Sequence, residues 1–143
     1  ERMAGIIPII ACAKRGNEVQ VEELLRMKHK VDRCDTMGNS PLIWAAAGGH
    51  LDTCKVLVQW KANVNLQNKA GDSALHKATW KNHSHVVQYL LGVGANRDLV
   101  NGEGKQALDL AKVKATRSLL MPPIEYDDDD FDEEDSEYDD DSD

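Results

Sequence analysis

Gly38-Asn39-Ser40-Pro41-Leu42-Ile43-Trp44-Ala45-Ala46 returns thirty-three residues later as Gly71-Asp72-Ser73-Ala74-Leu75-His76-Lys77-Ala78-Thr79. In both copies a glycine able to take φ > 0 suits a tight turn. A serine two residues on stands where its side-chain oxygen can cap the free amides of a helix start. Pro41 takes the first helical position, where a missing N–H costs nothing. The period extends in both directions. Gly104 joins Gly38 and Gly71, and Pro8, Pro41, Ala74 and Ala107 form a second column, followed by Ile9, Leu42, Leu75 and Leu108. Cys12, Ala45, Ala78 and Ala111 form a small-residue column that lets two antiparallel helices approach closely. No gap is needed between Pro8 and Leu108, and self-similarity at a fixed period of this length signals a repeat architecture.

A second helix follows the first in each unit. Val56, Leu57 and Val58, and then Val86, Val87, Leu90 and Leu91, lie at helical spacing. Gly94, with Ala95 and Asn96, is expected to end its helix in a left-handed turn. No unit buries such faces alone, whereas stacked units share a continuous core. We expect full units over residues 3–35, 36–68 and 69–101. A fourth begins at Gly102 and stops before Pro122-Pro123, a short polar unit suited to be a terminal cap.

Charge divides the chain at the same place. Of 25 acidic residues, fourteen lie between Glu125 and Asp143 with no basic residue among them. Residues 1–124 keep the other eleven acids against all 17 Lys and Arg, a surplus of +6. We therefore expect one folded domain, residues 1–121, and an acidic tail, residues 122–143, too charged and too poor in apolar surface to order itself. No apolar run is long enough to cross a membrane. The N-terminus lacks the pattern of a signal peptide and does not start with Met, so we expect a piece of a longer protein. Cys12, Cys34 and Cys54 are widely spaced and odd in number, which suggests free thiols and a cytoplasmic or nuclear setting rather than a disulfide framework or a zinc site.

The strings Asn39-Ser40-Pro41-Leu42, Asp72-Ser73-Ala74-Leu75-His76 and Gly49-His50 resemble the ankyrin repeat, whose usual signature is Thr-Pro-Leu-His-x-Ala with Gly-His further on. The resemblance implies an all-α ankyrin-repeat solenoid of three full 33-residue repeats and a partial C-terminal cap, followed by the disordered acidic tail. A narrower likeness is carried by residues 67–76, Trp80-Lys81, Ala13-Lys14-Arg15-Gly16-Asn17, Asp98-Leu99 and Ser118-Leu119-Leu120. These, with the acidic end, are similar to the ankyrin region in the family of osteoclast-stimulating factor 1, which are small intracellular adaptors. There a Src-homology-3 domain precedes the repeats; the given sequence starts two residues before Met3, so we expect that such a domain was either removed or never present, and recognition of proline-rich ligands is not carried over.

The family's register implies that partners dock on a concave face lined by turn tips and first helices. The turn tips nominate Met37, Asn39, Lys69 and Asp72. The first helices nominate Lys14, Arg15, Trp44, Lys77, Trp80, Lys81 and Lys114. Arg15, Lys81 and Lys114 share a column and form a candidate basic stripe, with Trp80 as the aromatic anchor. Trp44 is either a second anchor or a filler between repeats, and Trp60 reads as edge packing.

For the tail three roles compete: solubilisation, binding of a basic protein with Tyr126, Phe131 and Tyr138 as apolar points within the charge, and folding back onto the basic stripe. Ser136, with Asp139 three residues on, suits an acidophilic kinase. The primary expectation is a non-catalytic adaptor, a monomer that binds a protein partner. The alternative is a chaperone or escort of a basic client, such as a ribosomal protein or histone. No metal, cofactor, nucleic acid or membrane partner is expected. His50 and His83 share a repeat column, which suits a structural role, and the basic surplus is modest and spread along the chain.

Overall fold

Pro8, Pro41, Ala74 and Ala107 each begin a helix in the computed structural model, which describes residues 7–121. The helices are α1 (Pro8–Arg15), α2 (Glu18–Arg26), α3 (Pro41–Ala47), α4 (Leu51–Gln59), α5 (Ala74–Trp80), α6 (Ser84–Gly92), α7 (Ala107–Leu110) and α8 (Lys114–Leu120). Among the described residues there is no strand, only an isolated bridge between Gln67 and Ser73. The odd-numbered helices pack on one another in chain order and the even-numbered ones do the same. Each odd helix also packs on the even helix that follows it. Two helical layers result.

The repeat columns become the core. Ile9, Leu42 and Leu75 are at most 1% exposed in the first layer. Val21, Cys54, Val87 and Leu120, again thirty-three apart, are at most 1% exposed in the second. Each such aliphatic side chain contributes about 1.5–3 kcal/mol by leaving water. Ala13, Ala45, Ala46 and Ala78 are fully buried, and their small size is what lets the layers meet. Ser40 and Ser73 cap as expected, accepting from the backbone N–H of Ile43 at 3.2 Å and of His76 at 3.3 Å.

The turn tips stack by a repeated device. Asp35, Asn68 and Asn101 each use a side-chain oxygen to accept two backbone N–H groups of their own turn, those of Met37 and Asn39, Ala70 and Asp72, and Glu103 and Lys105. Neighbouring turns are then joined along the backbone: Lys69 donates to the Met37 carbonyl at 3.0 Å and Gly102 to the Ala70 carbonyl at 2.8 Å. On the way out of the second helices, Lys28, Lys61 and Gly94 occupy one column, all with positive φ, so the left-handed turn expected at Gly94 recurs where the chain has lysine.

The last unit departs from the pattern. In the first three, the link between the two helices passes through Gly16, Gly49 or Asn82, each with positive φ. The fourth occupant of that column is Ala115, and a left-handed conformation costs an ordinary residue about 1–2 kcal/mol. The chain avoids it. α7 stops at Leu110, Ala111 turns to extended geometry with ψ of 125°, and α8 starts early at Lys114. Lys114, expected on a first helix, thus heads a second one. The freed carbonyls of Leu108 and Ala111 accept from the Arg117 guanidinium at 3.4 and 3.5 Å, and Arg97 closes the end of α8 on the carbonyls of Leu120 and Met121.

Among the described residues two buried hydroxyls are left over: Thr53 and Thr79, at 0% and 1% exposure, find no hydrogen-bond partner there. A buried polar group without a partner costs about 1–3 kcal/mol. Thr53→Val keeps the shape and removes the hydroxyl, and the next unit already carries Val86 in that column. It is expected to raise the urea midpoint by an amount corresponding to about 1 kcal/mol, with the slope unchanged. A lowered midpoint would show that the hydroxyl is satisfied.

Candidate interaction face

α5 carries the site because its exposed end combines an aromatic surface with nearby positive charge. Trp80, its last residue, is 47% exposed. The ammonium of Lys81 lies 5.1 Å from the centre of the Trp80 ring system and that of Lys112 lies 5.5 Å away, both within cation–π range. Beside the indole a recess of about 280 Å³ is lined by Asp72, His76, Lys77, Trp80, Asn101, Glu103 and Leu110. Lys77 reaches Asp72 at 3.9 Å, so its charge is partly offset. Lys81 and Lys112 make no ion pair with any described residue.

The floor of this recess is rigid. His76, 1% exposed, accepts the Ser73 backbone N–H on Nδ1 at 3.1 Å. With Nδ1 an acceptor, the ring proton resides on Nε2, which donates to the Lys105 carbonyl at 2.9 Å. One side chain thereby caps α5 and ties the third turn to the fourth. The earlier units hold Ile10 and Ile43 in this column, so no repeat pattern announced the bridge.

Trp44 is committed within the fold. Its indole N–H donates to Asp35 Oδ2 at 2.9 Å, and the Lys14 ammonium sits 4.2 Å from the ring centre. The Asp35 carboxyl is held below the usual carboxylate range. Partial burial acts to raise it, but the hydrogen bonds from Trp44, Asn39 and Met37 together outweigh that cost. Both contacts lie within the fold, and Trp44 is partly buried. Lys14 and Arg15 help to line a second recess of about 450 Å³, with Ile7, Ile10, Ala11, Asp35 and Thr36.

Among the turn tips, Met37 is 58% exposed and Lys69 is exposed as well. Asn39 is different. It is 8% exposed, and its Oδ1 accepts from Asn68 Nδ2 at 2.7 Å. Asp72 likewise accepts from Asn101 Nδ2 at 2.9 Å while still lining the recess. The structure therefore gathers Trp80, Lys81, Lys77 and Asp72 in one place and Lys14, Arg15 and Trp44 in another. Lys114 stands in the second layer. Lys112, Glu103 and Leu110 were not anticipated. The 33-residue register placed Lys112 opposite the buried Thr79, and only the early end of α7 turns it toward Trp80.

Residues 42–91 match the family model for ankyrin repeats. The segment covers α3 to α6, with Trp44 and Trp80 inside it. No curated protein matches the chain. Ankyrin repeats generally mediate protein–protein interaction, and this ankyrin segment carries its exposed indole at the end of a first helix. The two histidines of the helix links fit the same fold: His50 Nε2 meets the Lys14 carbonyl and His83 Nε2 the Ala47 carbonyl, each at 3.0 Å, so both rings are used between units. Among the described residues no group of three His, Cys, Asp or Glu is placed to hold a metal, and no helix is long and apolar enough to cross a membrane. Burial pushes the Cys54 thiol up to about 12, so at neutral pH it is not a thiolate. Tyr126, Phe131, Ser136 and Tyr138 lie outside the described residues.

Proposed function

We propose that this chain is a non-catalytic adaptor module that holds a protein partner on the face of its first helices, with Trp80 as the anchor. The observation that carries the reading is the half-exposed indole within reach of two lysines that have no ion-pair partner among the described residues, beside a recess floored by a histidine hydrogen-bonded through both ring nitrogens. Indole rings and cations are the groups that dominate interface energetics when a partner desolvates them. Lys77, Lys81, Lys112 and Asp72 supply orientation around the indole, and Met37 and Lys69 extend the surface along the turn tips. Residues 1–121 form the ankyrin unit in this reading, three repeats and a cap, with residues 122–143 as a separate acidic segment. The setting is the cytoplasm or nucleus, and the module works as a monomer. The likeness to the adaptor family of osteoclast-stimulating factor 1 points the same way.

The test compares three baits in a quantitative pull-down: the chain itself, Trp80→Ala, and a variant with Asp127, Asp128, Asp129 and Asp130 changed to Asn. Trp80→Ala is expected to weaken partner binding by about 2 kcal/mol or more, roughly thirtyfold, with little change in stability because the ring is half in water. Binding that survives Trp80→Ala but disappears with the neutralised tail, with basic proteins as the captured partners, would replace this reading by an escort of basic clients.

A further inference from the structure

Lys81 and Lys112 lie within cation–π range of Trp80 and have no acidic partner among the described residues, although the sequence holds fourteen acids just beyond Met121. A half-exposed indole close to two ammonium groups suits a segment that combines carboxylates with an aromatic ring. Residues 125–135, Glu-Tyr-Asp-Asp-Asp-Asp-Phe-Asp-Glu-Glu-Asp, have that composition.

The connection is short enough. The chain path from Lys112 to Met121 is two extended steps, the seven-residue α8 and one further step, at most about 20 Å at ordinary rises per residue. Ten residues separate Met121 from Phe131, and ten extended residues span up to about 33 Å. Phe131 can therefore return to Trp80 with slack to spare. A segment tethered this closely competes at an effective concentration on the order of millimolar. Its attraction to the lysines weakens with salt as the Debye length shortens. Asp72 and Glu103, which line the recess, repel carboxylates, whereas Lys81 and Lys112 near the same indole attract them.

We propose that residues 125–135 fold back in cis onto the Trp80 site, with Phe131 against the indole and the flanking carboxylates on Lys81 and Lys112, so that a protein partner must displace the chain's own tail. This rests on the reading of Trp80 as the docking point and adds its regulation. Further negative charge at Ser136 would strengthen the self-contact.

The test uses the full chain carrying Cys34→Ser and a nitroxide on Ser136→Cys, since Cys12 and Cys54 are buried. Nuclear magnetic resonance then follows the indole N–H signals. The Trp80 signal is expected to lose most of its intensity while Trp60, at the end of α4 in the second layer, keeps its own. Salt on the order of 0.5 M restores the Trp80 signal by screening, and so does Lys81→Glu combined with Lys112→Glu. Equal behaviour of Trp60 and Trp80, whether both are broadened or both untouched, overturns the proposal. So does broadening that appears when isotope-labelled chain is mixed with spin-labelled chain, which would place the tail on a second copy. A result against self-docking, with partner capture still dependent on Trp80, would leave the adaptor reading intact. Self-docking with capture indifferent to Trp80→Ala would do the reverse.

Discussion

Replacing Gly71 with Ala is expected to cost about 3 kcal/mol or more, whereas the same change at Gly104 costs about 1 kcal/mol. Both glycines stand in the same repeat column with nearly the same φ, 84° and 75°. The conformational term, near 1 kcal/mol or a little above it, is therefore common to the two. The difference lies in what a new Cβ would meet. At Gly71 it would fall 2.6 Å from the backbone N of Gly102 and 2.9 Å from Cα and C of Asn101; at Gly104 nothing lies within 4 Å. Backbone cannot rotate out of the way as a side chain can. The third and fourth turns would have to separate, losing the Gly102-to-Ala70 bond of 2.8 Å and the Asn101-to-Asp72 bond of 2.9 Å, each worth about 0.5–1.5 kcal/mol net. In a stack whose units touch only their neighbours, the damage is local. Hydrogen exchange should show α7 and α8 losing protection before α3 and α4. Equal midpoints for Gly71→Ala and Gly104→Ala in urea denaturation would show that turn stacking contributes nothing.

The second large effect concerns the helix links. Gly16 packs under His50 and Gly49 under His83, and an added Cβ at Gly49 would lie 2.7 Å from the His83 ring. In the third unit this pairing is exchanged as a whole. Asn82 replaces the glycine, Thr116 replaces the histidine, and Thr116 Oγ1 donates to Asn82 Oδ1 at 2.7 Å. Asparagine tolerates positive φ, so Gly49→Asn isolates the packing term. It is expected to cost about 2 kcal/mol by pushing His83 off the Ala47 carbonyl. His83→Thr alone leaves the same carbonyl without its partner and costs about 1–2 kcal/mol. The double variant recreates the arrangement found at Asn82 and Thr116 and should recover at least about 1 kcal/mol relative to the sum of the single changes. Strict additivity in a double-mutant cycle would mean that the two exchanges are independent.

What could be read without coordinates was everything that repeats. The columns of Pro8 and Ile9, of Gly38, and of Cys12 each encode a local requirement: a helix start, a positive φ, a small contact. These are met within a few residues of chain, so the sequence by itself determined the helix pairs, the serine caps, the turn tips and the stacked core. It also placed Trp80 and Lys81 side by side at the end of a first helix. The binding roles nominated along that face rested on register alone.

Tertiary structure decided what breaks the period. Trp44 meets Lys14, and Asn39 meets Asn68, across units, while Trp44 also donates to Asp35 of the turn before its own helix. The bridge from His76 to the Lys105 carbonyl has no counterpart in the earlier units, where isoleucine fills the column. Lys112 reaches Trp80 and Lys114 moves to the second layer because Ala115 does not supply the left-handed link that Gly16, Gly49 and Asn82 provide. A repeat specifies each unit's own conformation through φ, capping and side-chain size. Which side chains meet across units depends on where a departing chain must end a helix, and that is settled only when all the units have packed.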